Sequence, residues 1–307
     1  MYSRRFSVPS VAELRALAAV VRHRSYCADI LEAADEREGD PRLLELTEPS
    51  FDDIDAVYER LTAAERHLKE ECDRRSVFLT IYAEMTNAVR EDLDRDAFED
   101  PDWVHTYLVE FAEWYRRALL AFERGHTDEV PVPWRLAFHA PASEPTLFVQ
   151  DALLGINAHI NYDLAYTLDE VGLSPDRDSK YSDHNAVNDT LGRLIEVVLD
   201  ELEEVYGADG YARFSELFGT ADHELVHVGM SGSRDIAWRN GVHLTESGPW
   251  FRRLVQWRIR TVATGSALVV LVPSSNRTLI EGMRRAESSG LPNDDLQIAC
   301  REWVSQR

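Results

Sequence analysis

Between Gly155 and Leu164 the chain reads Gly-Ile-Asn-Ala-His-Ile-Asn-Tyr-Asp-Leu, which crowds Asn157, His159, Asn161 and Asp163 into two helical turns. An imidazole and a carboxylate four residues apart can share a proton or ligate a divalent metal, and carboxamides beside them can orient a substrate. At 100° per residue, Asn157 and Asn161 fall in the middle of an apolar stripe of Leu153, Ile160, Leu164 and Leu168. His159 and Asp163 fall on the opposite side, with Tyr166 and Glu170. A buried amide without a partner costs about 1–3 kcal/mol, so the two asparagines demand partners from other elements.

A second helical pattern, from Asp183 to Tyr206, offers them. Asp183, His184, Asn188 and Asp189 precede a stripe of Val187, Leu191, Leu194, Ile195, Val198 and Leu202. Packed antiparallel to the first helix, it brings Asp183 and Asn188 to the polar centre. The expected site is then His159 and Asp163 as acid/base pair or metal ligands, with Asn157, Asn161, Asn188 and Asp183 binding the substrate. The rival reading is a buried hydrogen-bond network that sets helix register. Asn188-Asp189-x-x-Gly192-x-x-x-Glu196 also approaches the magnesium motif of class I terpene cyclases, but Gly192 stands where that motif has a hydroxyl ligand.

Two further stretches carry chemistry. His223-Glu224-Leu-Val-His227 is a literal H-E-x-x-H. On a helix, His223 and His227 share a face and can hold zinc, with Glu224 as base for the metal-bound water. The nearest third ligand is Glu246, and the competing reading is a polar helix end. Residues 250–272 carry Arg252, Arg253, Arg258 and Arg260 with Trp250 and Trp257 and no acid before Ala267. That suits either a peripheral contact with an anionic membrane or pairing with the protein's own carboxylates.

These sites need helices to position them. Helical periodicity covers Val11–Ala34, Phe51–Leu61 with Ser50 as N-cap, Ser76–Leu93, Trp103–Arg124, Pro145–Val171, Asp183–Tyr206, Asp209–Leu217, Asp222–Trp238 and Pro249–Val262. Asp52, Asp53 and Asp55 complement a helix dipole. Only Ala267–Val272 looks like a strand. The expected fold is all-α, a multi-helix bundle with long central helices and a buried polar centre. Its expected organisation is a helical extension over 1–48, a bundle over 49–265 and a C-terminal tail over 266–307 that packs on the bundle.

Composition bounds the function. A net charge of −22, with only Lys69 and Lys180 among 33 basic residues, fits a protein kept soluble at high salt. The same charge argues against general nucleic-acid binding. Cys27, Cys72 and Cys300 are too scattered for a disulfide framework or a zinc cluster. With no apolar signal region at Met1–Ser10 and no long apolar run, the expected location is cytoplasmic.

The chain resembles the domain of unknown function 5995 family over about residues 51–265. The resemblance rests on Asp73-Arg-Arg-Ser-Val-Phe78 with Tyr82 and Thr86, Phe98-Glu-Asp-Pro-Asp-Trp103, Trp134-Arg-Leu-Ala-Phe138, Leu154-Gly-Ile-Asn-Ala-His-Ile-Asn161 with Asp163-Leu164, Asp183 with Asn188-Asp189, and Arg234-Asp-Ile-Ala-Trp238. It implies a largely helical fold and no assigned activity. The chain departs from the family pattern at His184, where an aromatic residue is usual, and at His223–His227, so the resemblance does not extend to zinc peptidase chemistry. The leading expectation is an enzyme, metal-dependent or acid/base, acting on a small-molecule or lipid-like substrate. The alternatives are a non-catalytic binding or scaffold protein and a zinc metallopeptidase.

Overall fold

A computed structural model describes residues 10–34, 38–143, 146–206, 223–271 and 277–287. Among them every regular element is a helix. In chain order these are α1 (Val11–Arg22), α2 (Arg24–Ala34), α3 (Pro41–Thr47), α4 (Ile54–Glu70), α5 (Ser76–Asp94), α6 (Pro101–Glu123), α7 (Val132–Ser143) and α8 (Phe148–Asn157). A π-helical turn (Ala158–Asp163) follows, then α9 (Leu164–Val171), α10 (Arg177–Tyr206), α11 (His223–Glu246), α12 (Pro249–Leu271) and α13 (Arg277–Glu287).

Local chemistry explains most boundaries. Asp53, not Ser50, caps α4, its carboxylate accepting from the Ala56 amide at 2.7 Å. The helix therefore starts three residues later than expected and runs on to Glu70. Pro101 occupies the first turn of α6, where its missing N–H costs nothing, and Asp100 caps that turn. Gly172, at φ 77°, ends α9 in a backbone conformation that a side chain would oppose.

One expected helical stretch is divided, and the expected strand is helical. Val11–Ala34 is two helices broken at His23, which lets α1 lie along α12. Gly265 permits that approach, since a Cβ there would sit 2.0 Å from the Ala16 carbonyl oxygen. The buried Arg258–Glu13 ion pair, at 2.6 Å, fastens the two helices. The strand-like run from Ala267 is instead the last turn of α12, with Ala267, Leu268 and Leu271 all buried. A short apolar run reads equally as a strand or as a buried helix, and here the core on one side decides. The Asp209–Leu217 helix lies outside the described residues.

The core forms two large clusters. One gathers Leu43, Leu68, Phe78, Tyr115, Leu119, Trp134 and Leu154, and the other Trp103, Tyr107, Phe111, Ile160, Leu164, Trp238 and Ile259. The central segment joins them: Leu154 and Ala158 belong to the first, Ile160 and Leu164 to the second, and Ile156 packs against both. The π turn itself is touched by α6, α7, α11 and α12, which bury Ala158, His159, Ile160 and Asp163 and leave Asn161 and Tyr162 partly exposed. Gln150 ties the same segment to α12 by donating to the Val270 carbonyl at 2.7 Å.

Gly155 sets how closely α5 approaches this segment. A Cβ on it would lie 2.3 Å from Phe78 Cγ, inside van der Waals contact. Gly155→Ala is therefore expected to cost about 1–3 kcal/mol of stability through overpacking. Urea unfolding measures that loss, and a neutral outcome would show that Phe78 can move aside freely.

Candidate functional site

The site begins with the backbone of the π turn. The Leu164 N–H donates to the His159 carbonyl, five residues back, so this turn holds more residues than an α-helical one. Successive side chains advance by less than 100°, and the faces drawn from an α-helical projection rotate. His159 and Asp163, placed by that projection opposite the buried stripe, are 4% and 0% exposed. Their spacing of four still stacks them on one side: His159 Nδ1 lies 3.2 Å from Asp163 Oδ2.

Asp163 is held from beyond its own helix. Trp134 Nε1 donates to both carboxyl oxygens, at 3.1 and 2.9 Å. An aromatic cage closes around the imidazole. Phe111 stacks on it at 3.5 Å between centroids and 9° between planes, and Tyr82 meets it edge-on at 4.4 Å. His159 Nε2 is buried and has no hydrogen-bond partner.

Burial dominates the electrostatics. It pushes the Asp163 carboxyl well above the ordinary aspartate range, against the opposing hydrogen bond from Trp134. Burial, and then the charge of Arg234, hold the His159 imidazole well below the ordinary histidine value. Both groups are driven to their uncharged forms, so the pair keeps one proton between them.

His159 forms part of the wall of a cavity of about 50 Å³, with Phe78, Tyr82, Met85, Phe111 and Ile160 among its apolar neighbours. Tyr107, Thr86 and Arg234 supply the other polar surface. Arg234, 2% exposed, donates to the Asn188 side-chain oxygen, to Tyr107 Oη at 3.3 Å and to the His184 carbonyl at 3.3 Å. His184 is fully buried; burial and then the charge of Arg234 hold it well below its ordinary value.

The expected site residues therefore separate. His159 and Asp163 come together. Asn188 reaches the same cavity only through Arg234. Asn157 and Asn161 bond to each other at 2.9 Å, and Asn157 donates to the Ala263 carbonyl of α12 at 2.9 Å. Asp183 sits elsewhere, accepting from the Glu99 and Asp100 amides at 2.8 Å each and so anchoring the start of α6. Among the described residues no group of three or more His, Cys, Asp or Glu side chains converges as a metal site would require. The side chains of His223, Glu224 and His227 lie outside the described residues.

The arginines of 250–272 divide. Arg252 pairs with Asp169 at 2.6 Å and Arg258 with Glu13, while Arg253 and Arg260 face solvent. Trp250 and Trp257 are 77% and 56% exposed. Among the described residues no helix is long and apolar enough to cross a membrane.

The sequence-based reading missed Trp134, Phe111 and Arg234. Trp134 and Arg234 each open one of the short motifs that carry the family resemblance, Trp134–Phe138 and Arg234–Trp238. A profile of the family of unknown function DUF5995 matches residues 54–273, most of the chain. The chain belongs to DUF5995. The match takes in α4 to α12 and so contains the whole His159–Asp163 site of this DUF5995 protein. No curated protein and no solved structure matches it.

The shared proton has a measurable consequence. Between about pH 4 and 6.5 the unfolded chain carries a proton on His159, whereas burial in the folded chain favours that proton on Asp163; wherever one proton is held in both states the pair adds no slope to stability. Asp163→Asn leaves a histidine with a lowered pKa: its stability is present above about pH 6.5 and falls as pH drops. His159→Gln leaves an aspartate with a raised pKa: its stability is present below about pH 4 and is lost as pH rises toward the folded value. Urea unfolding across this range, referenced to the double variant, should give slopes of opposite sign, limited to about 1.4 kcal/mol per pH unit. Slopes of the same sign would contradict a shared proton.

Proposed function

We propose that this DUF5995 protein is an enzyme acting on a small molecule, with His159 transferring a proton at Nε2 and Asp163 serving as its reserve through Nδ1. One observation carries the reading: a buried imidazole on a cavity wall has one nitrogen on a carboxyl group and the other without a partner. Such a group does no hydrogen-bonding work on its Nε2 side in the protein alone, and a buried polar atom left so costs stability.

The proton balance follows from the uncharged resting pair. Nε2–H gives its proton to the bound molecule, and the Asp163 acid proton moves to Nδ1. The relay ends as a neutral imidazole beside a carboxylate, one negative charge richer. The Trp134 N–H stabilises that carboxylate directly, and the Arg234 cation offsets the charge at longer range. Reversal restores the resting pair. The aromatic cage excludes the water that would otherwise compete for Nε2.

A register-setting network is the second reading, and the Asn161–Asn157–Ala263 chain favours it for the asparagines, whose bonds are satisfied within the protein. It does not account for Nε2. Turnover of a small-molecule library, followed by mass spectrometry, separates the two. His159→Gln and Asp163→Asn should each lower turnover about 10²–10⁴-fold while the helical circular dichroism persists. Unchanged turnover in either variant, or unfolding of both with no substrate found for the native protein, would favour the network.

A further inference from the structure

The buried arginines of the described chain are Arg75, Arg116, Arg234 and Arg258. Three have carboxylate partners: Arg75 with Asp73 and Glu123, Arg116 with Glu113 at 2.7 Å, and Arg258 with Glu13. Arg234 is the most buried of the four and has none among the described residues. Its bonds run only to an amide oxygen, a phenol, and the carbonyl and Nδ1 of His184, and they use Nε and Nη2. Nη1 donates to nothing in the described protein. A buried guanidinium with no counter-ion is costly, and here it borders a cavity.

The geometry points to that cavity as the binding site of a short-chain monocarboxylate, its carboxylate group on Arg234 and its hydrocarbon against Phe78, Met85, Phe111 and Ile160. The charge count favours one negative charge, because among the described residues Arg234 is the one cationic side chain lining the cavity. A phosphate dianion would need further donors there. The volume of about 50 Å³ is several times what one water occupies and suits a ligand of few heavy atoms. The walls are mainly apolar, which suits an aliphatic tail. Nη1, the guanidinium nitrogen left without an acceptor in the described protein, can donate a charge-assisted hydrogen bond to a carboxylate oxygen. This inference rests on the cavity being a substrate site and names the substrate's class. His159, whose ring forms part of the same wall, is then placed to exchange a proton with the bound acid or with a substituent beside its carboxyl group.

Calorimetric titration of the full-length protein tests this with acetate, propionate, butyrate and hexanoate, against butyramide, butanol and inorganic phosphate. Binding should appear for the three- to six-carbon acids and be absent for the amide, the alcohol and phosphate. Arg234→Met should weaken the butyrate affinity about 10- to 100-fold, with Arg234→Lys between the two. If Arg234→Met does not fold, the acid-against-amide comparison on the native protein still decides. Equal binding of butyrate and butyramide, preference for phosphate, or no binding of any acid at tens of millimolar would overturn the assignment. Loss of this inference leaves the His159 relay standing if turnover of uncharged molecules still depends on His159. Carboxylate binding without any His159-dependent turnover refutes the relay and keeps the site.

Discussion

The hydrogen bonds from the Trp134 indole to both oxygens of Asp163 constrain everything around them. They reach from α7 to the π turn and hold a carboxyl group where water does not enter. A carboxyl at 0% exposure can be kept there only if its hydrogen bonds are met and its charge is suppressed or matched. Trp134 meets the first need. Burial meets the second by favouring the uncharged carboxyl, which lies against His159 Nδ1 through Oδ2. The aromatic wall of Phe78, Tyr82, Phe111 and Tyr115 then fills the space around the imidazole and joins the two halves of the core. Stability and chemistry are linked here, since the same desolvation that makes the junction costly moves both pKa values away from their ordinary ranges.

The π turn is what allows such a junction. An α-helix through Ala158–Asp163 would show part of this segment to each neighbour and part to solvent, as the amphipathic projection requires. Extra residues in the turn widen it, and α6, α7, α11 and α12 all touch it. Such turns recur where a helix carries function. The asparagines flanking His159 stabilise the arrangement: Asn161 donates to Asn157, and Asn157 donates to a carbonyl of α12. They act on the position of the helix, while His159 and Arg234 face the cavity.

Much of the fold was legible because long periodic patterns leave little choice. Ser76–Asp94, Pro101–Glu123 and the segment ending at Val171 announce themselves by apolar spacing, and Pro101 and Gly172 punctuate them. What escaped depended on contacts distant in sequence. Ala267–Leu271 is helical because it meets a core, and no local signal says so. Asp183 looked like a site residue, yet its carboxylate is spent on two amides about 83 residues away. At the site itself, the pairing of His159 with Asp163 was visible from spacing, but its burial was not, since periodicity assumes 3.6 residues per turn. Trp134 and Arg234 were invisible as partners for a simple reason. Hydrogen bonds over 29 and 46 residues are written in topology, which a linear pattern does not contain.

Everything chemical in this account descends from one claim, that an imidazole and a carboxyl group sealed between two cores share a single proton. Nitrogen-15 NMR of the histidine rings, recorded from pH 5 to 8, reads that state directly. His159 should remain a neutral imidazole throughout, with no titration step, because burial and the Arg234 charge both oppose protonation. An imidazolium spectrum at neutral pH, or an ordinary titration near pH 6.5, would contradict it.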